Sequence, residues 1–360
     1  MSNPIEASVH LAGQTAKVGW YTLVHELGSS YARRRTSAAR SRDDVQQEPA
    51  RSGRAKPSAG PSRSDVLQAL RDLMVRDAAL VRDGICPPLS DFPSSLPDMA
   101  LRLRDMFADI PRAAERSAAE ARHEVREDCD TSDLPDYYTQ NFHYQTDGYL
   151  TSESARLYDV QVETLFSGTA GAMRRQALRP IAEAVAGRDQ RSMALLDVAC
   201  GTGRLMGQIS QAFPALPQTG IDLSEAYLNE ARAHLKGRRG IALQAANAET
   251  LPFEPATFDI VTCSFLFHEL PGPVRRTVVD EISRVLRPGG TFVFIDSMQL
   301  GDAPKFDGML EAFPERFHEP YYRNYLSDDL EGVFHDAGLV RSATWNAFFS
   351  KVMVRRRTGG

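Results

Sequence analysis

The stretch Met193-Ala194-Leu195-Leu196-Asp197-Val198-Ala199, followed by Cys200-Gly201-Thr202-Gly203, decides how this chain folds. A short, almost unbroken apolar run is the pattern of a strand covered on both faces, as in a parallel sheet. The glycines supply backbone freedom where the chain turns sharply and passes close to something. A helix is predicted from about Arg204 to Phe213, where Pro214 stops it. Strand, glycine turn and helix together open a βα unit.

Toward the C-terminus the unit repeats. Strands are predicted at Gln218–Asp222, Ile241–Ala246, Phe258–Ser264 and Thr291–Asp296. Ser224 caps one helix, a second covers Gly272–Leu286, and a third near Asp328–Ala337 ends at Gly338. The last two strands, Val340–Phe348 and Lys351–Arg356, lie too close for a crossover helix, so they form a hairpin. The expected fold class is α/β: a Rossmann-like, doubly wound, mostly parallel seven-stranded sheet with one antiparallel strand, preceded by a helical region.

Toward the N-terminus the pattern changes. Residues 1–32 read as one amphipathic helix carrying Val18, Tyr21, Leu23, Val24 and Leu27, weakened at Gly28-Ser29-Ser30. Residues 33–63 are basic and hold Val45 as their one large apolar residue, so they read as a disordered linker. Residues 64–186 form a helical, lid-like region. Ser64-Asp65 is expected to cap a helix with Leu67, Leu70, Leu73 and Leu80, and a second helix carries Met99, Leu101, Leu103 and Met106. Residues 137–149 pack five aromatic side chains and His143 into 13 positions, and helices follow at Ser152–Phe166 and Ala170–Ala186. The sheet domain spans residues 187–360.

With 42% hydrophobic and 25% charged residues, the 360-residue chain has an ordinary globular composition. Its net charge of −5 argues against general nucleic-acid binding. The 4 cysteines (Cys86, Cys129, Cys200 and Cys263) show no metal-ligand spacing and suit a reducing cytosol, which predicts a cytoplasmic location. No apolar run is long enough to predict a membrane span, and no metal-ligand cluster is read from the sequence.

In such a sheet the ligand binds at the C-terminal strand ends, where strand order reverses. A dinucleotide turn wants a third glycine, and here Met206 stands in that place. Asp222 lies 19 residues beyond Gly203, at the end of the second strand, where a carboxylate can accept both hydroxyls of a ribose.

At this point the residues resemble a known family. Leu195 to Gly203 resembles motif I of the class I S-adenosylmethionine-dependent methyltransferases, Gly220 to Ser224 its second-strand motif, and Asn247 to Phe253 its adenine-side loop. Arg284 to Gly290 resembles the turn before its fifth strand, and the nearest subgroup is the ubiquinone/menaquinone and "type 11" small-molecule methyltransferases. The resemblance implies S-adenosylmethionine as cofactor and S-adenosylhomocysteine as product. It implies that Gly201 and Gly203 flank the methionine part, Asp222 holds the ribose, Leu223 packs on adenine, and Asn247 with Ala248 meets the adenine edge. The family often has Asp where Asn247 stands, which implies weakened adenine recognition. Asp197, Ala199, Ser264 and Tyr144 are further expected along the cofactor, with Arg156 meeting its carboxylate.

The methyl acceptor is expected to be a small aromatic or apolar molecule, with a carbon or nitrogen acceptor favoured over oxygen. His268 is the expected base with Glu269 as its orienter, aided by His143 and Tyr149; the alternative is that the His268–Glu269 pair caps a helix. Tyr138, Phe142, Phe265, His318, Tyr321 and Tyr322 are the expected substrate-side residues, with core packing as the alternative. Two other functions stay open: an RNA or protein methyltransferase docking through the basic segment, and a non-catalytic regulator that binds the cofactor. The N-terminal helices are expected either to pair two copies as a homodimer or to cover the pocket.

Overall fold

The computed structural model describes residues 3–40, 60–88, 96–119, 121–128, 131–132 and 134–359. A seven-stranded sheet forms its centre, built of β1 (Leu195–Val198), β2 (Gln218–Asp222), β3 (Ile241–Ala245), β4 (Phe258–Ser264), β5 (Leu286–Ser297), β6 (Leu339–Ala347) and β7 (Ser350–Arg357). The spatial order is β3-β2-β1-β4-β5-β7-β6. All neighbouring pairs are parallel except β5 with β7 and β7 with β6, so β7 alone is reversed, as the short final connection requires. Strand order reverses between β1 and β4, which places the ligand edge at the C-terminal ends of these two strands.

Alternation along the strands builds two cores. Leu195, Ile260, Val293, Ile295, Val352 and Val354 meet Leu178, Ile181, Leu205 and Ile209 on one face. Leu196, Val198, Val261, Phe292, Phe294 and Met353 meet Val278, Ile282, Val285 and Phe334 on the other. Burying both faces removes most of the large apolar surface of the domain from water, at roughly 25 cal/mol per Å².

The N-terminal region departs from the sequence reading in three ways. One helix runs from Pro4 to Arg40 without stopping at Gly28. A mid-helix glycine costs about 1 kcal/mol, and here Tyr21 and Val24 bury against Met106 and Val160 and outweigh it. Residues 33–40 of the expected linker are therefore helical, while 41–59 lie outside the described residues. Ser62, two residues earlier than expected, caps the helix Arg63–Arg82, exchanging a reciprocal capping box with Asp65.

These helices pack onto the chain's own domain. Asp77 makes two 2.7 Å bonds to Arg175 and one to His10, all three side chains being fully or almost fully buried. Lys17 Nζ lies 2.9 Å from Glu163 Oε1, tying the first helix to the helix Ser152–Leu165. Among the described residues no helix is long and apolar enough to cross a membrane.

Candidate active site

The turn after β1 takes three left-handed residues, Ala199 (φ +55°), Gly201 (+53°) and Gly203 (+74°). Its geometry is held by Asp222 at the end of β2. The Gly201 amide donates to Asp222 Oδ2 at 2.8 Å, and the Ser224 amide to Oδ1 at 2.9 Å. Burial pushes the Asp222 carboxyl up, and these backbone donors offset only part of that. The two glycines do different work. A side chain at Gly201 would meet open space, whereas a Cβ at Gly203 would come within 2.9 Å of Leu235. Gly203 thus serves packing and the left-handed turn, and only Gly201 lines the pocket.

The pocket wall contains Ala199, Gly201, Asp222, Leu223, Asn247, Ala248, Ser264, Phe265, Glu269, Tyr138 and Tyr149, so eleven expected residues gather there. Asn247 Oδ1 already accepts from the Glu249 amide at 2.9 Å, closing a turn in its own loop. Asp197 lies in β1 beneath the loop rather than in the wall. Thr262 donates to its Oδ1 at 2.6 Å, and its buried Oδ2 has no hydrogen-bond partner. Burial pushes the Asp197 carboxyl up to about 7, against the pull of Thr262 and Arg174.

The acceptor end is built by long-range contacts. Tyr149 donates to Glu269 Oε1 at 2.6 Å, while Phe142 stacks behind its ring at 5.3 Å. Tyr158 and Tyr227 stand edge-on to it at 6.0 and 5.6 Å, completing an aromatic box. Glu269 does not orient His268. That role falls to Asp296, at the end of β5, whose Oδ1 lies 2.6 Å from His268 Nδ1 and whose Oδ2 accepts from the Phe267 amide at 2.7 Å. Burial would lower the His268 pKa, but Asp296, Glu319 and Glu269 outweigh it and hold the ring up to about 10. The surrounding carboxylates thus favour the charged form of the His268 ring. Burial pushes Glu269 up to about 7, with His268 pulling against it and Glu319 adding to it.

Several expected site residues lie elsewhere. Arg156 pairs with Asp105 and, at 3.2 Å, with Glu153, outside the pocket. Arg174 lies 5.6 Å over the ring of the wall residue Phe265, and it lines the neighbouring cleft with Asp159 and Arg204. Tyr144 packs on His318 at 5.6 Å rather than along the cofactor edge. His318 bonds to Gln140 at 2.9 Å, its ring pushed down to about 4 by burial and then Arg122. Tyr321 accepts from Gln140 and Tyr322 bonds Ser297, so all three substrate-side candidates brace the wall from behind. Finally, the sequence showed no metal-ligand cluster, yet the fold brings His143, Glu269 and Glu319 together.

Sequence reasoning missed Arg174, Asp296, Glu319, Tyr158 and Tyr227. Asp296 carried a usable signal, since an acid ending an apolar strand is the same pattern that singled out Asp222.

An acid-anchored glycine loop at the reversal point of a parallel sheet defines a nucleoside-binding domain. The family described as "Methyltransferase domain" matches residues 195–290. The chain is 38% identical over 141 residues to a demethylmenaquinone methyltransferase of Lactococcus lactis, covering 38% of this chain and 52% of that protein. It is 30% identical over 175 residues to a demethylmenaquinone methyltransferase of Staphylococcus haemolyticus, covering 46% and 72%. A solved S-adenosylmethionine-dependent methyltransferase from Aquifex aeolicus overlaps 50% of this chain and 89% of its own, with 18% identity and a TM-score of 0.38. The chain spans 52% of the length of the Lactococcus relative. It belongs to the class I S-adenosylmethionine-dependent methyltransferase family.

The pocket residues fit that cofactor. Asp222 offers a carboxylate for the ribose, and Gly201 leaves room beside the loop.

Proposed function

We propose that this protein methylates a ring carbon of a small hydroxylated aromatic molecule of the quinol type. The observation that carries the reading is the Asp222 carboxylate, pinned by the Gly201 and Ser224 amides in a pocket whose wall also holds five tyrosines and Phe265 among aliphatic side chains. When bound, S-adenosylmethionine supplies an electrophilic methyl on a sulfonium, with a neutral thioether as leaving group. Asp222 takes the ribose, Leu223, Asn247 and Ala248 take the adenine, and Arg174 meets the methionine carboxylate. Ser264 and Phe265, at the end of β4, face the junction between donor and acceptor.

Tyr138, Tyr149, Tyr158 and Tyr227, packed on one another, form an aromatic side of the pocket against which a planar acceptor ring would lie, away from water. Holding nucleophile and methyl in line at about 3 Å accounts for most of the acceleration. Glu269, already accepting from Tyr149, takes the proton of the acceptor hydroxyl and so raises electron density on the ring carbon. Once that carbon has taken the methyl, its own hydrogen leaves to water as a proton, and Glu269 returns the first proton to the oxygen as the ring regains aromaticity. The named relatives act on demethylmenaquinone, which supports a quinol acceptor here.

Titration calorimetry with S-adenosylmethionine tests the donor half, with binding expected at about 1–100 µM. Incubation with isotopically labelled donor and a reduced 1,4-naphthoquinol tests the acceptor half, with label expected on a ring carbon. Absence of donor binding by folded protein overturns the reading. Label on oxygen alone overturns the carbon assignment.

A further inference from the structure

The acceptor end gathers a second set of groups that the proposed methyl transfer leaves unexplained. His143 comes from a turn in which it and Tyr144 both take left-handed backbone, at φ +54° and +55°. Glu269 comes from the short turn after β4, and Glu319 from the loop between the helices Asp307–Arg316 and Tyr322–Leu326. One ligand atom from each lies within 4.8 Å of the other two, and His143 Nε2 is 2.8 Å from Glu319 Oε1. Ligands held at about 2.1 Å from a shared divalent ion lie roughly 3.0–3.5 Å apart, so small side-chain movements suffice.

A second observation points the same way. The Glu319 side chain is fully buried, and its Oε2 has no hydrogen-bond partner. A buried carboxylate oxygen left in that state is costly unless a cation or donor meets it. Among the described residues this end brings together the carboxylates of Glu269, Asp296 and Glu319, the last two fully buried, and the two imidazoles of His143 and His268.

We propose that His143, Glu269 and Glu319 bind one divalent transition ion of the zinc or manganese class at the acceptor end of the pocket. One imidazole with two carboxylates suits these ions better than magnesium or calcium, which prefer oxygen alone. Glu269 lines the pocket, so the vacant coordination positions open toward the acceptor. The ion's role there rests on the proposed methyl transfer: it would bind the acceptor oxygen and lower its pKa, so that the hydroxyl proton passes more readily to the Glu269 oxygen that the ion leaves free. The binding itself does not rest on that reading.

The test uses the full chain freed of metal with EDTA. Zinc(II) is titrated against a chromophoric chelator, manganese(II) is followed by electron paramagnetic resonance, and bound metal is counted by mass spectrometry. One ion per chain is expected, with Glu319→Gln and His143→Ala each weakening it by about tenfold to a hundredfold. A rise in unfolding temperature with zinc, absent in Glu319→Gln, is expected alongside. Asp222→Ala should lose donor affinity yet bind the ion as the wild type does, which separates this site from the methyltransferase reading. If Glu319→Gln does not fold, Glu269→Gln takes its place. The proposal is overturned if the folded wild type retains no ion at tens of micromolar zinc or manganese, or if the variants bind it as tightly as the wild type.

Discussion

Apart from Arg174, the donor half of the pocket comes from one run of chain, Ala199 to Ala248, which closes on itself through β1, β2 and β3. The acceptor half draws on Tyr138 and Tyr149, on Tyr158, on Ser264 to Leu270, and behind them on the segment of His318 and Glu319. One half is set by neighbouring strands in register. The other exists only when helices far apart in sequence have docked. The first should therefore tolerate loss of tertiary support, and the second should not.

The most forceful way to break this contrast is at the base of the helical region. Asp77→Ala strands the fully buried Arg175 guanidinium, and removing one partner of such a pair costs about 3–5 kcal/mol. Chemical denaturation should register that loss, with the acceptor half failing first. Burial alone would raise the Asp77 carboxyl, but Arg175 and then His10 hold it below its ordinary value. Its folded pKa is thus depressed, so its contribution is intact above the unfolded value of about 3.9 and is lost as pH falls through the folded one. Acid titration of wild type should show a transition below about pH 4 that Asp77→Ala lacks.

A second substitution sharpens the contrast within the site. Asp296→Asn removes the carboxylate that orients His268, whose Nε2 stands 3.8 Å from the proposed base Glu269, without touching the donor half. Turnover should fall about a hundredfold while donor affinity stays within about twofold. A matching loss of donor affinity would show that the halves are not separable. The converse is Asp222→Ala, for which calorimetry should give a tenfold to hundredfold loss of donor affinity, about 1.4–2.8 kcal/mol, with little change in stability. The smallest effect belongs to Asn247→Asp. The residue is engaged by the Glu249 amide and stands beside the Glu249 carboxylate, so the acid should change donor affinity by less than about threefold.

What could be read from the sequence follows the same division. Gly201 and Asp222 are legible from the spacing of strand ends and turns, which are local, while Leu223, Asn247 and Ala248 were expected from the family resemblance; all five meet at one edge. Residues of the acceptor half carry no such spacing. Arg156 and Arg174 sit on consecutive helical segments with equal claims in sequence, and only docking shows that Asp105 takes the first. Glu269 beside His268 looked like a pair, and the two do face each other at 3.8 Å through Nε2, but the closer partner, at 2.6 Å on Nδ1, is Asp296 from the end of β5. The helices Asp307–Arg316 and Tyr322–Leu326 went unforeseen because Pro314 and the short second segment hide their periodicity. Helix existence there depends on burying Leu310, Tyr322 and Leu326 in a satellite core.

Met206 has a consequence for how this fold can evolve. Its thioether fills the space beside Gly220, where an added methyl would come within 2.5 Å of the sulfur, and it packs fully buried with Leu228 and Ala231. Restoring a glycine at that position would empty a hole in the interior instead of opening a seat for a pyrophosphate. A lineage starting from this chain could not drift into redox coenzyme use by single steps. It would have to repack the helix Glu225–His234 first, and each intermediate would be less stable than its parent.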